Sequence, residues 1–266
     1  MPKVSVRVRK GDKGVNDAAA ERAWSTRPEN EWPIARTDYQ RWYLTPKYTL
    51  GTDPPSTSAV LNYKALGSLK DPQLFQFRSA PSKQETEITG HITAHLNLSL
   101  TRQLNDLDAW ERPELDIFVT LRHIGVDRQE ITYTGAAGDP VALANGWLRL
   151  SLRKVDEDHP KHRPCLPRRN YLSTDVLSVE PGEVYEVDVE VWPTNVVVEE
   201  GCSLLFEISS GDTRNSGLFT HDNPVDRPAS RLAGLNYVHF GDGILNYVVL
   251  PIMPPANESN QVVEPY

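Results

Sequence analysis

Hydrophobic and polar residues alternate along the segment that begins at Glu183. The residues of one face are hydrophobic: Tyr185, Val187, Val189 and Val191. The residues of the other face are acidic: Glu186, Asp188 and Glu190. A period of two is typical of a β-strand with one face against a core and the other in water. We therefore expect the first set to be buried and the second to be exposed.

The residues that follow predict two more strands. Pro193 has no backbone N–H to donate, so we expect it to end the first strand. A second apolar run leads to Glu199-Glu200-Gly201, which has the composition of a turn. Beyond this turn, alternate apolar residues predict a third strand that faces the core: Leu204, Phe206 and Ile208. Consecutive strands joined by turns form a β-meander, and we predict one here.

Short alternating segments recur along the rest of the chain: Met1–Arg9, Leu74–Arg78, Glu85–Leu100, Leu115–Ile124, Trp147–Lys154, Tyr237–Phe240 and Asn246–Leu250. Together with the central segment they predict about ten strands and no long helix. Proline outnumbers glycine, 21 to 16, which also favours short strands and turns. We predict a mainly β fold, an antiparallel β-sandwich of jelly-roll type. Residues 1–70 would form a strand and connector packed on it, 71–253 the sandwich and 254–266 a flexible tail.

Composition and charge narrow the choice of partners. Hydrophobic residues make up 39% of the 266 residues and charged residues 24%, as expected for a folded domain. The net charge of −8 argues against nucleic acid or an anionic membrane as a partner. The N-terminus has no apolar signal segment, and no run of 18 apolar residues occurs. We therefore expect a cytoplasmic protein; its oligomeric state is left open.

Metal and cofactor signals are weak. Cys165 and Cys202 lack the spacing of a metal site. The sequence does not decide whether they form a disulfide, and two free thiols are favoured. His91 and His95 share one face of a predicted strand, but no third ligand lies nearby in sequence. No Walker A loop, dinucleotide-binding glycine motif, H-E-x-x-H motif or G-x-S-x-G elbow is present. We expect no metal and no cofactor.

Candidate chemistry lies in one polar loop and beside it. Ser209–Asn223 follows a buried strand, and functional groups favour loops on a rigid scaffold. If the chain has an activity of its own, we expect four residues to provide its acid–base groups: Asp116, Asp212, His221 and His239. A carboxylate beside an imidazole is the minimum apparatus for proton transfer near neutral pH. The alternative is that these side chains are dispersed and solvated.

Five segments in order carry a resemblance to a known family: TGHITAHLNLS, ELDIFVTLRHIG, GWLRLSLRK, PGEVYEVDVEVWPTNVVVEEGCSLLFEISSGD and NYVHFGDGILNYVVLPIMP. They resemble the C-terminal β-sandwich of X-Pro dipeptidyl-peptidases and cocaine-esterase-type (CocE/NonD) serine hydrolases. The segments VSVRV and EWPIARTDYQRWYL resemble the connector before that sandwich. The resemblance covers nearly all of residues 3–253.

The resemblance implies that this chain does not carry the catalytic triad, which lies in an N-terminal α/β-hydrolase domain of the family. It also implies that Asp116–Phe118 and Ser209–Asn223 lie nearest the substrate. The candidates for substrate contacts are therefore Phe118, Arg214, Asn215 and Asn223. The loop departs from the family's F-P-R/K run after the serines, because Gly211-Asp212-Thr213-Arg214 stands there instead.

Three functions remain open on these grounds. The first is a non-catalytic accessory or substrate-pocket module of a hydrolase, with an α/β-hydrolase domain as its partner. The second is an independent sandwich that binds a hydrophobic small molecule, or acts on one as a lyase, isomerase or cyclase. The third, an intact hydrolase, would need the missing domain on another chain. The initial methionine and unfamiliar tail fit an independent gene product and a truncated gene equally well.

Overall fold

A computed structural model describes residues 3–103 and 111–254 of the chain. The fold is mainly β, as the sequence predicts: 45% of the described residues are in strands and 6% in helices. The strands, numbered along the chain, are β1 (Val4–Lys10), β2 (Ser25–Glu29), β3 (Asp38–Leu44), β4 (Thr49–Gly51), β5 (Ala59–Lys64), β6 (Leu74–Ser79), β7 (Thr86–Arg102), β8 (Asp116–Ile124), β9 (Glu130–Ile131), β10 (Tyr133–Thr134), β11 (Pro140–Val141), β12 (Ala144–Arg149), β13 (Tyr185–Val198), β14 (Ser203–Ser209), β15 (Gly234–Phe240) and β16 (Tyr247–Met253). Two single-turn helices, α1 (Ala18–Glu21) and α2 (Ala229–Leu232), connect some of them.

Hydrogen bonds join most of these strands into one continuous sheet in the order β2-β1-β13-β12-β8-β14-β6-β4-β3-β16-β7-β15-β5. An additional pairing of β7 with β13 closes nine of the strands into a barrel-like ring. The ring forms because β7 has 17 residues and pairs with β13, β15 and β16. This closure was not expected from the sequence, and the jelly-roll order of connections stays a prediction.

Strand β13 does not end at Pro193, contrary to the sequence prediction. It continues to Val198, and the register with β7 shifts between Val191 and Thr194. A β-bulge at this point leaves the proline outside the ladder, so its missing N–H breaks no bond. The predicted meander is also wrong, because β14 pairs with β6 and β8 rather than with β13.

The predicted core face is confirmed. Seven side chains are each at most 7% exposed: Tyr185, Val187, Val189, Val191, Leu204, Phe206 and Ile208. The predicted acidic face is only partly in water, because Glu186 is exposed but Asp188 and Glu190 are half-buried. The segment after β12 covers them: the buried Arg169 donates to the backbone oxygen of Asp188 at 2.5 Å.

Strands β1 to β5, all within residues 1–70, each pair with another strand of the sheet. The division of the chain at residue 70 stays a prediction. Cys165 and Cys202 are both buried and free. Among the described residues, no helix is long and apolar enough to cross a membrane. The predicted tail beyond residue 254, and residues 104–110 of the polar segment before β8, lie outside the described residues.

Candidate functional site

Three neighbouring strands of the ring bring the predicted site residues to one edge of the sheet. Phe118, near the start of β8, is opposite Trp147 at the end of β12 and opposite Ser209 at the end of β14. Because these strands are antiparallel, the loop that leaves β14 folds over the start of β8. A cleft of about 390 Å³ opens there, with this lining: Asp116, Ile117, Phe118, Trp147, Leu148, Arg149, Leu152, Tyr171, Thr220, His221, Asn223, Asp226 and Arg227.

Asp116 is held by two arginines at the floor of this cleft. Its Oδ1 and Oδ2 accept from Nε and Nη2 of Arg149 at 2.7 and 2.9 Å. Its Oδ2 also accepts from Nε of Arg227 at 3.0 Å. The carboxylate in turn raises the pKa of the Arg149 guanidinium, mainly through these hydrogen bonds. With both oxygens committed to cations, Asp116 is a structural anchor and a poor general base.

Arg227 ties the polar loop to the wall of the cleft. Its Nη1 donates to the backbone oxygen of His221 at 2.9 Å and its Nη2 to that of Ser210 at 2.5 Å. The guanidinium carbon lies 4.9 Å from the centroid of the Phe118 ring, within range of a cation–π contact. Since each nitrogen of this side chain has an acceptor, Arg227 orders the loop and has little capacity left for a ligand.

The structure brings Asp212 and His221 together, as the sequence hypothesis requires. Nδ1 of His221 lies 3.1 Å from Oδ1 of Asp212, and the His221 backbone N–H donates to Oδ2 of the same carboxylate. Asp212 is buried, whereas the His221 side chain is 48% exposed. The imidazole packs between Trp147 and Phe118, at centroid distances of 5.2 and 5.5 Å.

The two ring nitrogens of His221 therefore differ in their surroundings. A carboxylate can only accept, so Asp212 favours the tautomer in which Nδ1 carries the proton. No residue in the described ranges forms a hydrogen bond with Nε2 of His221. His221 lines the cleft, and in that tautomer its Nε2 is an acceptor to which no described residue donates.

A buried ionic network anchors the first residues of the polar loop. Glu207 of β14 accepts from Nη2 of Arg122 at 3.0 Å, and the hydroxyl of Thr213 donates to the same carboxylate at 2.5 Å. Arg122 also donates to the backbone oxygen of Arg214 at 2.9 Å. Both ends of the Arg122–Glu207 pair are nearly inaccessible to water. Sequence analysis missed this network, because a period-two pattern assigns charged residues to the solvent face.

A family model described as the X-Pro dipeptidyl-peptidase C-terminal non-catalytic domain matches residues 1–249. The chain belongs to this family. The match agrees with the resemblance drawn from the five sequence segments. It covers the cleft and the polar loop in full.

Relatives of this domain are hydrolases much longer than the chain. Two proteins assigned as serine esterases, from Mycobacterium bovis and Mycobacterium tuberculosis, are each 23% identical over 158 residues. That match covers 59% of this chain but 22% of theirs. A CocE/NonD family hydrolase from Staphylococcus aureus superposes with a TM-score of 0.74 at 18% identity, covering 96% of this chain and 42% of that one.

Another solved structure, an α-amino acid ester hydrolase, superposes on this domain with a TM-score of 0.55 at 12% identity, covering 86% of this chain and 39% of the other. At such low identities the superpositions establish a shared fold and nothing finer. The matched part of this chain spans less than half the length of each of these relatives.

Not all predicted site residues of this non-catalytic domain reach the cleft. Asn223 lines it, but the Arg214 side chain is exposed elsewhere and Asn215 donates to Glu130 at 2.8 Å. His239 lies on β15, where its Nε2 is 2.8 Å from the hydroxyl of Ser99. Burial lowers the pKa of His239. Of the four predicted acid–base groups, then, Asp212 and His221 pair, Asp116 is ion-paired beside them, and His239 is apart.

Several lining residues of the domain were missed by sequence analysis: Trp147, Arg149, Tyr171 and Arg227. Trp147 and Arg149 could have been inferred from the strand WLRLSLRK, which places them on the face opposite Leu148. Tyr171 and Arg227 lie in irregular segments with no periodicity to follow. No group of three His, Cys, Asp or Glu suited to hold a metal ion occurs in the described part of the chain.

Proposed function

We propose that this chain is the accessory, non-catalytic β module of a CocE/NonD-type hydrolase, and that its cleft end packs against an α/β-hydrolase domain. Family membership over residues 1–249 supports this proposal. This chain covers 42% of the S. aureus hydrolase, so more than half of that protein lies outside the match and can form a second domain. In this arrangement the module would complete one wall of the substrate pocket.

The observation on which the proposal rests is the apolar rim of the cleft. Large apolar side chains in and beside the segments that line the cleft are exposed: Tyr171 (56% exposed), which lines it, Trp192 (63%), and Leu218 (63%), Phe219 (84%) and Val225 (82%), which lie within two positions of the lining residues Thr220 and Asp226. Trp192 extends the aromatic wall, since its ring is 5.4 Å from that of Trp147. Other apolar side chains are exposed elsewhere, such as Val60 and Val126, but these five are associated with one cleft. An exposed apolar patch beside a cleft is typical of a surface that another protein covers. We propose that the α/β-hydrolase domain packs against these exposed side chains.

The chemistry of the cleft agrees with a non-catalytic role in ester hydrolysis. The two serines that begin the polar loop both donate their hydroxyl protons to backbone oxygens, Ser209 to Gly211 and Ser210 to Lys64. Neither hydroxyl is hydrogen-bonded to His221. A nucleophilic serine needs an adjacent base to accept its proton, and neither of these two serines is bonded to one. Ser99 lies 2.8 Å from Nε2 of His239, but that serine is buried on β7, beside β15 and away from the cleft. The nucleophile would come from the partner domain.

Two measurements test the proposal. The isolated chain should not turn over a 4-nitrophenyl ester, and a serine-directed fluorophosphonate should not label it. The α/β-hydrolase domain encoded in the same or the adjacent reading frame should form a one-to-one complex with the chain in sedimentation velocity. Phe219→Ser should weaken that complex, whereas Val60→Ser, on an exposed position of β5, should not. Stoichiometric labelling of the isolated chain, or a complex indifferent to Phe219→Ser, would count against the module.

A second candidate is a small-molecule binding protein, including a lyase, isomerase or cyclase that acts on a hydrophobic metabolite. The observation in its favour is that the cleft is built from this chain alone and is within the size range of ligand pockets. It predicts binding of a ligand without any partner domain. The module proposal predicts ester turnover only in the complex with the hydrolase domain.

A further inference from the structure

We propose that the cleft binds a neutral aromatic compound with a hydroxyl group, and that the hydroxyl donates its proton to Nε2 of His221. The inference concerns the isolated chain and does not depend on the hydrolase partner. It follows from three properties of the cleft: the shape of its walls, its charge balance and the orientation of one imidazole.

The walls of the cleft suit a flat ring. Phe118 and Trp147 lie on adjacent strands in register, and Tyr171 projects from the segment after β12. Three aliphatic side chains complete the lining: Ile117 and Leu148 from β8 and β12, and Leu152 from the turn after β12. A volume of about 390 Å³ is at the small end of the range for ligand pockets, as expected for a ligand of one or two rings. Aromatic walls favour an aromatic ligand through edge-to-face and offset contacts.

The charges that line the cleft do not favour an ion. Two arginines, Arg149 and Arg227, are balanced by Asp116 and Asp226. Arg227 has acceptors on all its nitrogens, and Arg149 is committed to Asp116 and to the backbone oxygen of Asp226, 2.9 Å away. An anionic ligand would have to displace Asp116 from one of these arginines and would lose more than it gained. The carboxylate of Asp226 is exposed to water, where an ion pair with a cationic ligand would contribute little. The preferred ligand is therefore uncharged.

The polar group of the ligand has to be a donor. Asp212 accepts from Nδ1 and from the backbone N–H of His221, which fixes the ring and leaves Nε2 as an acceptor. A phenol or an alcohol can donate to Nε2, whereas an ester carbonyl or an ether cannot. Partial burial between Trp147 and Phe118 limits competition from water for this bond. The site therefore distinguishes a hydroxyl compound from the ester or ether of the same ring.

The test measures how tightly the chain of 266 residues binds each of three probes: 4-ethylphenol, its methyl ether 4-ethylanisole, and ethylbenzene. Binding is measured by isothermal titration calorimetry and by shifts of the Trp147 indole signal in NMR at neutral pH. We expect 4-ethylphenol to bind about five- to tenfold more tightly than either analogue, the ratio that one added hydrogen bond provides. Equal affinities for the three probes, or no binding of 4-ethylphenol at millimolar concentration, would overturn the proposal.

Two variants separate the hydroxyl contact from the ring contact. His221→Phe keeps an aromatic ring beside Trp147 and Phe118 but removes the acceptor. It should bring 4-ethylphenol down to the affinity of ethylbenzene and leave ethylbenzene unchanged. Trp147→Ala should weaken all three probes alike. If His221→Phe retains the preference for 4-ethylphenol, the assignment of Nε2 is refuted. Because the probe comparison on the wild-type chain is decisive by itself, misfolding of a variant would not rescue the proposal.

Discussion

Asp212 binds His221 twice, since its carboxylate accepts from the backbone N–H of His221 and lies 3.1 Å from the ring Nδ1. The two residues are nine positions apart, so the intervening loop is closed on itself by one side chain. The buried carboxylate is itself at the end of the anchored stretch that begins at Glu207. The pair thus connects a rigid ionic network inside the sheet to an accessible imidazole at the cleft.

Asp212→Ala should change the tautomer of His221. In the wild-type chain, ¹⁵N NMR at neutral pH should show the proton on Nδ1, because the carboxylate accepts it. In the variant, the spectrum should show a mixture in which Nε2–H predominates, as in free imidazole side chains. The His239 signal is the internal control and should not move, since that side chain bonds Ser99 on a different strand. Identical His221 spectra in the two proteins would contradict the pairing.

Asp116→Ala should destabilise the fold by about 3 kcal/mol in urea denaturation. The change leaves the largely buried Arg227 and the partly buried Arg149 without their common partner. The matched control is Lys154→Ala, which removes an ion pair with Asp175 in which the lysine side chain is half exposed. That substitution should cost much less, because ion pairs at the surface contribute little to stability. Equal losses in the two variants would show that Asp116 is no anchor.

Phe206→Ala should cost about 3–5 kcal/mol of unfolding free energy, because it leaves a cavity in the centre of the core. The Phe206 side chain is 0% exposed. Val60→Ala, at a strand position that is 53% exposed, is the control and should change stability by less than about 0.5 kcal/mol. A melting temperature for Phe206→Ala within error of the wild-type value would place this residue outside the core.

Gly146→Ala should lower stability by about 1–3 kcal/mol through overpacking. A Cβ at this position of β12 would lie 2.3 Å from the backbone oxygen of Glu190 on β13. Gly51 on β4 offers the comparison, since a Cβ there has no neighbour within 4 Å. Gly51→Ala should be neutral or slightly stabilising. If Gly146→Ala and Gly51→Ala have the same melting temperature, β12 and β13 are not as close as the structure places them.

The stability of the domain should fall on acidification because of His123. This side chain is 1% exposed, and burial together with the charge of Arg9 lowers its pKa to about 4. The unfolded chain takes up the proton near pH 6.5, so between these two values the unfolded state binds more protons than the native state. The unfolding free energy should therefore decrease as the pH falls, by about 2–3 kcal/mol from pH 7 to pH 4.5.

A variant without this titrating group shows whether His123 is the cause. His123→Gln should lose most of that pH dependence, whatever its stability at pH 7. His162→Gln, in the segment between β12 and β13, should keep the wild-type dependence of unfolding free energy on pH. The measurement is urea denaturation at pH 7, 5.5 and 4.5 for each protein. A slope for His123→Gln equal to that of the wild type would assign the acid sensitivity to other groups.

The sequence by itself determined the mainly β class and the core face of the central strands. Period-two alternation from Tyr185 to Val191 is a local property, and burial of one face follows from it wherever the strand pairs. The family could also be recognised from the sequence, because the resemblance depends on five segments that occur in the same order as in the family. The sequence also placed Asp212 and His221 among four candidate acid–base groups, since both residues lie in one short polar loop.

Only the tertiary structure decided how the strands pair and which groups share the cleft. The closure of the ring through β7 and β13, and the bulge at Pro193, depend on partners distant in sequence. Burial of Arg122 beside Glu207 likewise requires strands β8 and β14 to be adjacent, which no local pattern encodes. The roles of Asp116 and His221 diverge for the same reason. Arginines from β12 and from the loop before α2 neutralise Asp116 through long-range contacts, while no residue in the described part of the chain donates to Nε2 of His221.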